Sequence, residues 1–160
     1  MILLGIGEYG ATSQKGELIK TLGLGSCVAV ICHEPIAGIA GMIHIALPDS
    51  AIAQVKPLPK PGYYADTGLP AFFGSMAQVG WRKGVGRLAV KLAGGASIMD
   101  PNGTFNIGKR NVLAIKRILW GLGLGPIAED VGGNHSRTVS IDADSGAVVI
   151  TSPGRDPVGL

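Results

Sequence analysis

Two apolar runs, Cys27 to His33 and Gly38 to Leu47, stand on either side of the short segment EPIA. Glu34-Pro35 breaks the first run and Pro48 stops the second, because proline cannot donate to a strand ladder. Short apolar runs rich in β-branched residues and bounded by turn signals predict strands, here the two arms of a hairpin. The first arm opens directly out of TLGLGSC, residues 21–27. Gly23 and Gly25 supply backbone freedom there. A thiol, Cys27, then stands where a glycine-rich turn meets a strand, backed by backbone N–H groups.

The rest of the chain supplies more strands and two helices. Residues 2–7, 17–22, 87–92, 127–130, 137–141 and 147–151 read as strands. Residues 64–83 read as a helix with Asp66 near its start, and Gly68 with Pro70 make its first turn irregular. Asn106 reads as the N-cap of a second helix running through Trp120 and ending at Gly121. Val112, Ile115 and Leu119 line one face of it at helical spacing, with Lys109, Arg110, Lys116 and Arg117 elsewhere on its surface. This order predicts an α/β fold: a single-domain layered sandwich of mainly antiparallel sheet with flanking helices. The domain is expected over residues 1–151, with 152–160 a short disordered tail. The segment from Ala51 to Pro61 reads as a proline-stiffened loop.

Composition narrows the function. A chain of 160 residues buries roughly 68–70% of its unfolded surface, enough for a core. Only 16% of residues are charged and the net charge is +3. No basic run carries interleaved aromatics, which argues against nucleic acid. No apolar stretch approaches the ~18 residues of a membrane span, and MILLGIGEYG lacks the basic n-region of a signal peptide. Two cysteines make no disulfide framework, so the expected compartment is the cytoplasm.

Several motifs compete for the chemistry. GIGEYG, residues 5–10, matches a dinucleotide fingerprint in letters, but that site needs a helix straight after the glycines, and ATSQKGE reads as a turn into a strand. Cys27, Cys32, His33 and His44 suggest zinc until spacing is considered. Cys27 and Cys32 are five apart on one strand, facing opposite sides and roughly 16 Å apart at ~3.3 Å per residue, which excludes a shared metal or disulfide. Cys32 reads as core. Cys27 and His44 sit on adjacent arms of the hairpin and can share a face. Imidazole can take the proton of a thiol, so this pair has the makings of a nucleophile and its base. A core histidine with one satisfied nitrogen is the competing reading. A catalytic histidine needs a third group to fix its tautomer, and the candidates are Thr21, Asp49 and Asp66. AGGAS and DVGGNHSRT shape a pocket or merely turn the chain. His135 and Arg137 read as loop residues, or as ligands for a substrate carboxylate.

Taken in order, TLGLGSCVAV, HIALPDS, YADT, KLAGGASIM, NIGKRNV and EDVGGNHSRTV resemble the chemoreceptor glutamine deamidase family, CheD, over about residues 5 to 150. GLGSC followed seventeen residues later by HxxLP is a specific combination. The resemblance implies hydrolysis of the side-chain amides of selected glutamines on chemotaxis receptors, giving glutamate and ammonia. It implies a fold similar to the deamidase domains of cytotoxic necrotizing toxins. It implies Cys27 as nucleophile, His44 as base and Thr21 as the group orienting it, with Gly25 and Ser26 as oxyanion or pocket residues. No cofactor and no metal are implied. The implied partners are methyl-accepting receptors as substrate and the chemotaxis phosphatase CheC as regulator. A regulatory binding module for CheC, with little deamidase activity, is the alternative reading.

Overall fold

The computed structural model describes residues 1–52, 60–98, 100 and 102–160. Strands β1 (Ile2–Leu4), β3 (Leu18–Leu24), β8 (Arg137–Asp142), β9 (Val148–Thr151) and β10 (Val158–Gly159) form one sheet, in the order β1-β3-β8-β9-β10. Strands β2 (Tyr9–Thr12), β5 (Ile39–Ile45), β4 (Val28–Glu34), β6 (Ala89–Gly94) and β7 (Ala128–Val131) form the other, in the order β2-β5-β4-β6-β7. Pairing is antiparallel except for β1 with β3 and β6 with β7. Helices α1 (Ala65–Gln78) and α2 (Ile107–Gly121) cover the outer face of the second sheet. The protein is an α/β layered sandwich: sheet, sheet, helices.

The middle layer explains the apolar hairpin. Every residue of β4 and β5 is buried, because one face meets the helices and the other meets the first sheet. Val28, Val30, Cys32, Ile43 and Ile45 pack against Phe72, Met76, Ile115 and Leu119 of the helices. Ala29, Ile31 and Met42 pack against Ile19, Leu24, Val139 and Ile150 of the first sheet. Each fully buried large side chain contributes about 1.5–3 kcal/mol. Strands β3 and β8 of the outer sheet alternate buried and less buried residues instead, as a half-covered sheet should.

Some expectations need correction. The strand expected over residues 2–7 stops at Leu4, and a turn that includes Gly7, at φ 77°, leads to β2 (Tyr9–Thr12), an unexpected strand that joins the other sheet. The first long helix stops at Gln78, and Gly80 at φ 111° prevents its reaching Lys83. Its first turn is regular, with Pro70 inside the helix. Asn106 occupies the N-cap position of α2 but in the left-handed region, at φ 52°, and its side chain caps nothing. Asp100 holds this turn instead, accepting the N–H groups of Thr104, Phe105 and Asn106. The tail is ordered: Val158 and Gly159 pair with β9, and Lys91 donates to the Leu160 carbonyl. Most of the proline-rich loop, 53–59, lies outside the described residues. Among the described residues, no helix is long and apolar enough to cross a membrane.

Candidate active site

The opening stretch divides its labour unevenly. Gly23 adopts φ 62°, in the irregularity of β3 between Thr21 and Leu24. Gly25 has no such conformation, and a Cβ there would meet only Ile98, at 3.7 Å. The freedom expected at both glycines belongs to Gly23. The turn itself is held by its carbonyls. That of Gly25 accepts from Ala96 N (2.8 Å), that of Ser26 from Asn111 Nδ2 (2.9 Å) and that of Cys27 from Gly95 N (2.8 Å). In a trans peptide the N–H points opposite to the C=O. The N–H groups of Ser26 and Cys27 therefore point away from these partners. The AGGAS segment can come this close because of Gly94. At φ 116°, any Cβ on it would overlap the Cys27 carbonyl.

A cavity of about 420 Å³ opens over this turn, lined by Gly25, Ser26, Cys27, Ala96, Ser97 and Ile98 on one side and by Phe105, Ile107 and Gly108 on the other. Ile98 and Phe105 are exposed at its rim. Cys27 is half-buried just before β4. The register pairs Ala29 with His44 and Val28 with Ile45. Continued one step, it sets Cys27 opposite Ala46 and diagonal to His44 on the sheet–sheet face, where such neighbours stand about 7–8 Å apart between Cα atoms.

His44 and Thr21 lie inside the protein, at 1% and 0% exposure, and neither lines the cavity. The Thr21 Oγ1 and His44 Nδ1 atoms are 2.7 Å apart. The threonine hydroxyl has one proton, and it donates that proton to the Leu4 carbonyl at 2.8 Å. It must therefore accept from the imidazole, so Nδ1 carries the hydrogen and Nε2 carries the lone pair. Nε2 is buried with no hydrogen-bond partner among the described residues. The result is a neutral imidazole with a free basic nitrogen. Burial depresses its pKa to about 4, opposed by the nearby Glu8 carboxylate. Burial pushes the Cys27 thiol the other way, up, against a hydrogen bond from its own backbone N–H. At rest the pair is thus thiol and imidazole rather than an ion pair.

The other candidates are employed elsewhere. Asp49 accepts the Ala51 N–H, and Asp66 accepts both the N–H and the hydroxyl of Ser50. Cys32 is fully buried on the helix side, with its thiol pKa raised by desolvation. Arg137, read from sequence as a loop residue or carboxylate ligand, is 2% exposed. Its guanidinium bonds the Gly94 carbonyl and Asp130. Two residues that brace the site, Asn111 and Asp100, were not singled out from sequence, while Gly94 belongs to the AGGAS segment that was. Asn111 had a signal. It falls on the apolar stripe of α2 between Gly108 and Ile115, where a polar side chain needs buried partners.

Comparison with known proteins gives a consistent picture. The family model described as CheD chemotactic sensory transduction matches residues 46–152. The probable chemoreceptor glutamine deamidase CheD of Syntrophotalea carbinolica is 53% identical over 154 residues, spanning 96% of this chain and 95% of that protein. The probable chemoreceptor glutamine deamidase CheD 2 of Anaeromyxobacter dehalogenans is 43% identical, over 95% of this chain and 94% of its own. The chemoreceptor glutamine deamidase CheD of Thermotoga maritima is 41% identical, over 95% and 92%.

Proposed function

The chain belongs to the CheD family, and from that premise we propose that it hydrolyses glutamine side-chain amides on chemotaxis receptors, with Cys27 as nucleophile, His44 as general base and Thr21 as the orienting group. The observation that carries the mechanism is the hydrogen-bond chain Leu4 carbonyl, Thr21 hydroxyl, His44 Nδ1, which leaves Nε2 free to take a proton.

The thiol sulfur attacks the carboxamide carbon as His44 Nε2 accepts the thiol proton. The amide oxygen becomes an oxyanion, received by the N–H groups of the Gly25–Cys27 turn. Such a donor is worth about 2.7–4 kcal/mol in the transition state. The imidazolium gives its proton to the departing nitrogen, releasing ammonia and leaving a thioester on Cys27. Water then gives a proton to His44 and attacks the thioester, releasing glutamate and the thiol. Each step uses one protein nitrogen, and the reaction consumes only water.

The exposed Ile98 and Phe105 give the cavity an apolar rim suited to the aliphatic stem of a glutamine on a receptor surface. A phosphatase of the CheC kind would regulate the enzyme most simply by covering that rim. The reaction suits the cytoplasm, where a thiol without a disulfide partner stays reduced. The test is to mix the protein with a cytoplasmic receptor fragment and weigh the peptides. Deamidation adds about one mass unit as NH₂ becomes OH. A shift on particular glutamines that Cys27→Ala abolishes supports the assignment; a protein inert toward several receptors would leave the regulatory module as the better reading.

A further inference from the structure

We propose that Asn111 is a positioning residue for this reaction: its carboxamide ties the turn carrying Cys27 to the strand carrying His44. The inference rests on the Cys27–His44 assignment above. Asn111 is 0% exposed, on the inner face of α2. Its Nδ2 donates to the Ser26 carbonyl at 2.9 Å and to the Ala46 carbonyl at 3.0 Å. Both amide hydrogens are therefore used, one on each segment. Turning the amide over would set Oδ1 against two carbonyl oxygens, so only one orientation works.

The place of these bonds matters more than their number. The β4–β5 ladder ends at Val28 with Ile45. The next pair would be Cys27 with Ala46, and there Asn111 stands in for the missing rung. The Ser26 carbonyl lies in the same peptide plane as the Cys27 N–H. Holding it fixes that N–H and the Cα of the nucleophile. Ala46 lies two residues beyond His44, so holding it fixes the end of the strand that carries the base. The brace is anchored, because α2 sits against the AGGAS segment with no room for a side chain at Gly108: a Cβ there would stand 2.5 Å from the Gly95 carbonyl oxygen.

The arrangement is poor as simple core packing. Asn111 Oδ1 is buried with no partner among the described residues. A buried acceptor left unpaired destabilises a fold, and an apolar side chain would avoid that. What the asparagine supplies is a pair of donors on the two segments whose separation decides proton transfer.

The experiment compares Asn111→Ala, Asn111→Gln, His44→Ala and the double variant Asn111→Ala/His44→Ala. One readout is kcat and KM on a receptor fragment. The other is the rate at which iodoacetamide alkylates Cys27 across pH, located by peptide mass. Misplacement by about 1 Å costs on the order of 10²-fold in rate. Asn111→Ala is expected to lower kcat about 10- to 100-fold with KM little changed. Its alkylation rate at neutral pH should fall to that of His44→Ala, and the double variant should fall no further, since the clamp acts through the histidine. Asn111→Gln keeps both donors and should recover part of the loss. Losses that multiply in the double variant, or a loss carried by KM alone, would overturn the proposal. If Asn111→Ala does not fold, Asn111→Gln and Asn111→Asp, which keep the bulk, decide it: glutamine should outperform aspartate, which cannot donate twice, and the reverse order sinks the idea. Should His44→Ala leave alkylation untouched, the Cys27–His44 assignment fails first, and that outcome is distinct from a failure of Asn111 alone.

Discussion

The two faces of the middle sheet are made of the same strands and do different work. The face toward the helices is a plain hydrocarbon seam, with Val28, Val30, Cys32, Ile43 and Ile45 against Phe72, Met76, Ile115 and Leu119. The face toward the other sheet is apolar in its middle but takes in Thr21, His44 and Cys27 toward one end. Strand alternation makes this separation possible, since neighbours in sequence look in opposite directions. The difference teaches where chemistry can be housed. The helix face buries its apolar side chains against α1 and α2. At the Cys27 turn the β4–β5 ladder stops, and a cavity begins between that turn, the 96–98 segment and the start of α2. Burial of His44 on the sheet–sheet face keeps its imidazole neutral.

Removing each face's cysteine in turn should affect the two faces unequally, and the larger effect belongs to Cys27. Cys27→Ala should lower turnover about 10³-fold or more, the scale on which nucleophile deletions act, while the fold persists. Mass spectrometry of receptor peptides reads the first and circular dichroism the second. A Cys27→Ala protein that still deamidates would return the site to ordinary core.

The next effect is on stability. His44 titrates near 4 when folded and near 6.5 when unfolded. Between those values the unfolded chain binds more protons, so stability rises with pH through this window and is complete above about 6.5. Acidification from 6.5 toward 4 should remove roughly 3 kcal/mol, at about 1.36 kcal/mol per pKa unit. Urea unfolding at several pH values measures it. His44→Gln should flatten that part of the profile, and an unchanged slope would mean that the histidine is not held neutral. The same neutrality puts the acid limb of kcat/KM near pH 4, well below that of a free imidazole.

Substitution of Thr21 tests the tautomer alone. Thr21→Val keeps the shape and deletes the acceptor of the Nδ1 hydrogen. Turnover should fall about 10²-fold, within the range for general acid–base contributions. Thr21→Ser should restore most of it, because the hydroxyl alone is asked for. Equal rates in the valine and serine variants would leave the hydrogen bond to Leu4 and His44 a matter of packing.

Much of this was legible in the sequence, and the limits have physical causes. The hairpin, the opposed faces of Cys27 and Cys32 and the apolar face of α2 follow from periodicity, which is local. Thr21 was legible only as one of three candidates for the group beside the imidazole, and the family resemblance singled it out. What sets the direction of its hydrogen bond to His44 is a third partner, the Leu4 carbonyl on a strand parallel to β3, and pairing at that distance leaves no local mark. The same holds for Arg137, whose buried guanidinium meets a carbonyl of β6 from the other sheet. The strand expected over 2–7 ends early, ahead of a turn with Gly7 at positive φ, and β2, YGAT, is too short and too mixed in character to read as a strand.

The smallest effect is the one that tests whether the two faces are independent. Cys32 lies a few residues along the same chain from Cys27, on the helix side, among Val30, Val90 and Leu92. Cys32→Ala removes one sulfur from a packed seam and should cost on the order of 1 kcal/mol, since small truncations lose transfer energy and leave a small cavity. Urea unfolding reads that cost. Turnover and the alkylation rate of Cys27 should stay within about twofold of the parent, because sites without shared partners act additively. A large drop in turnover, with stability little changed, would mean that packing on the helix face sets the geometry at the cavity. Asn111 is the element through which that would have to pass, for it alone reaches from the helix layer to both the Ser26 and Ala46 carbonyls among the described residues. A Cys32 effect that vanishes in an Asn111→Ala background would then identify the route, and a Cys32 variant with normal turnover would show that the clamp isolates the site from its own core.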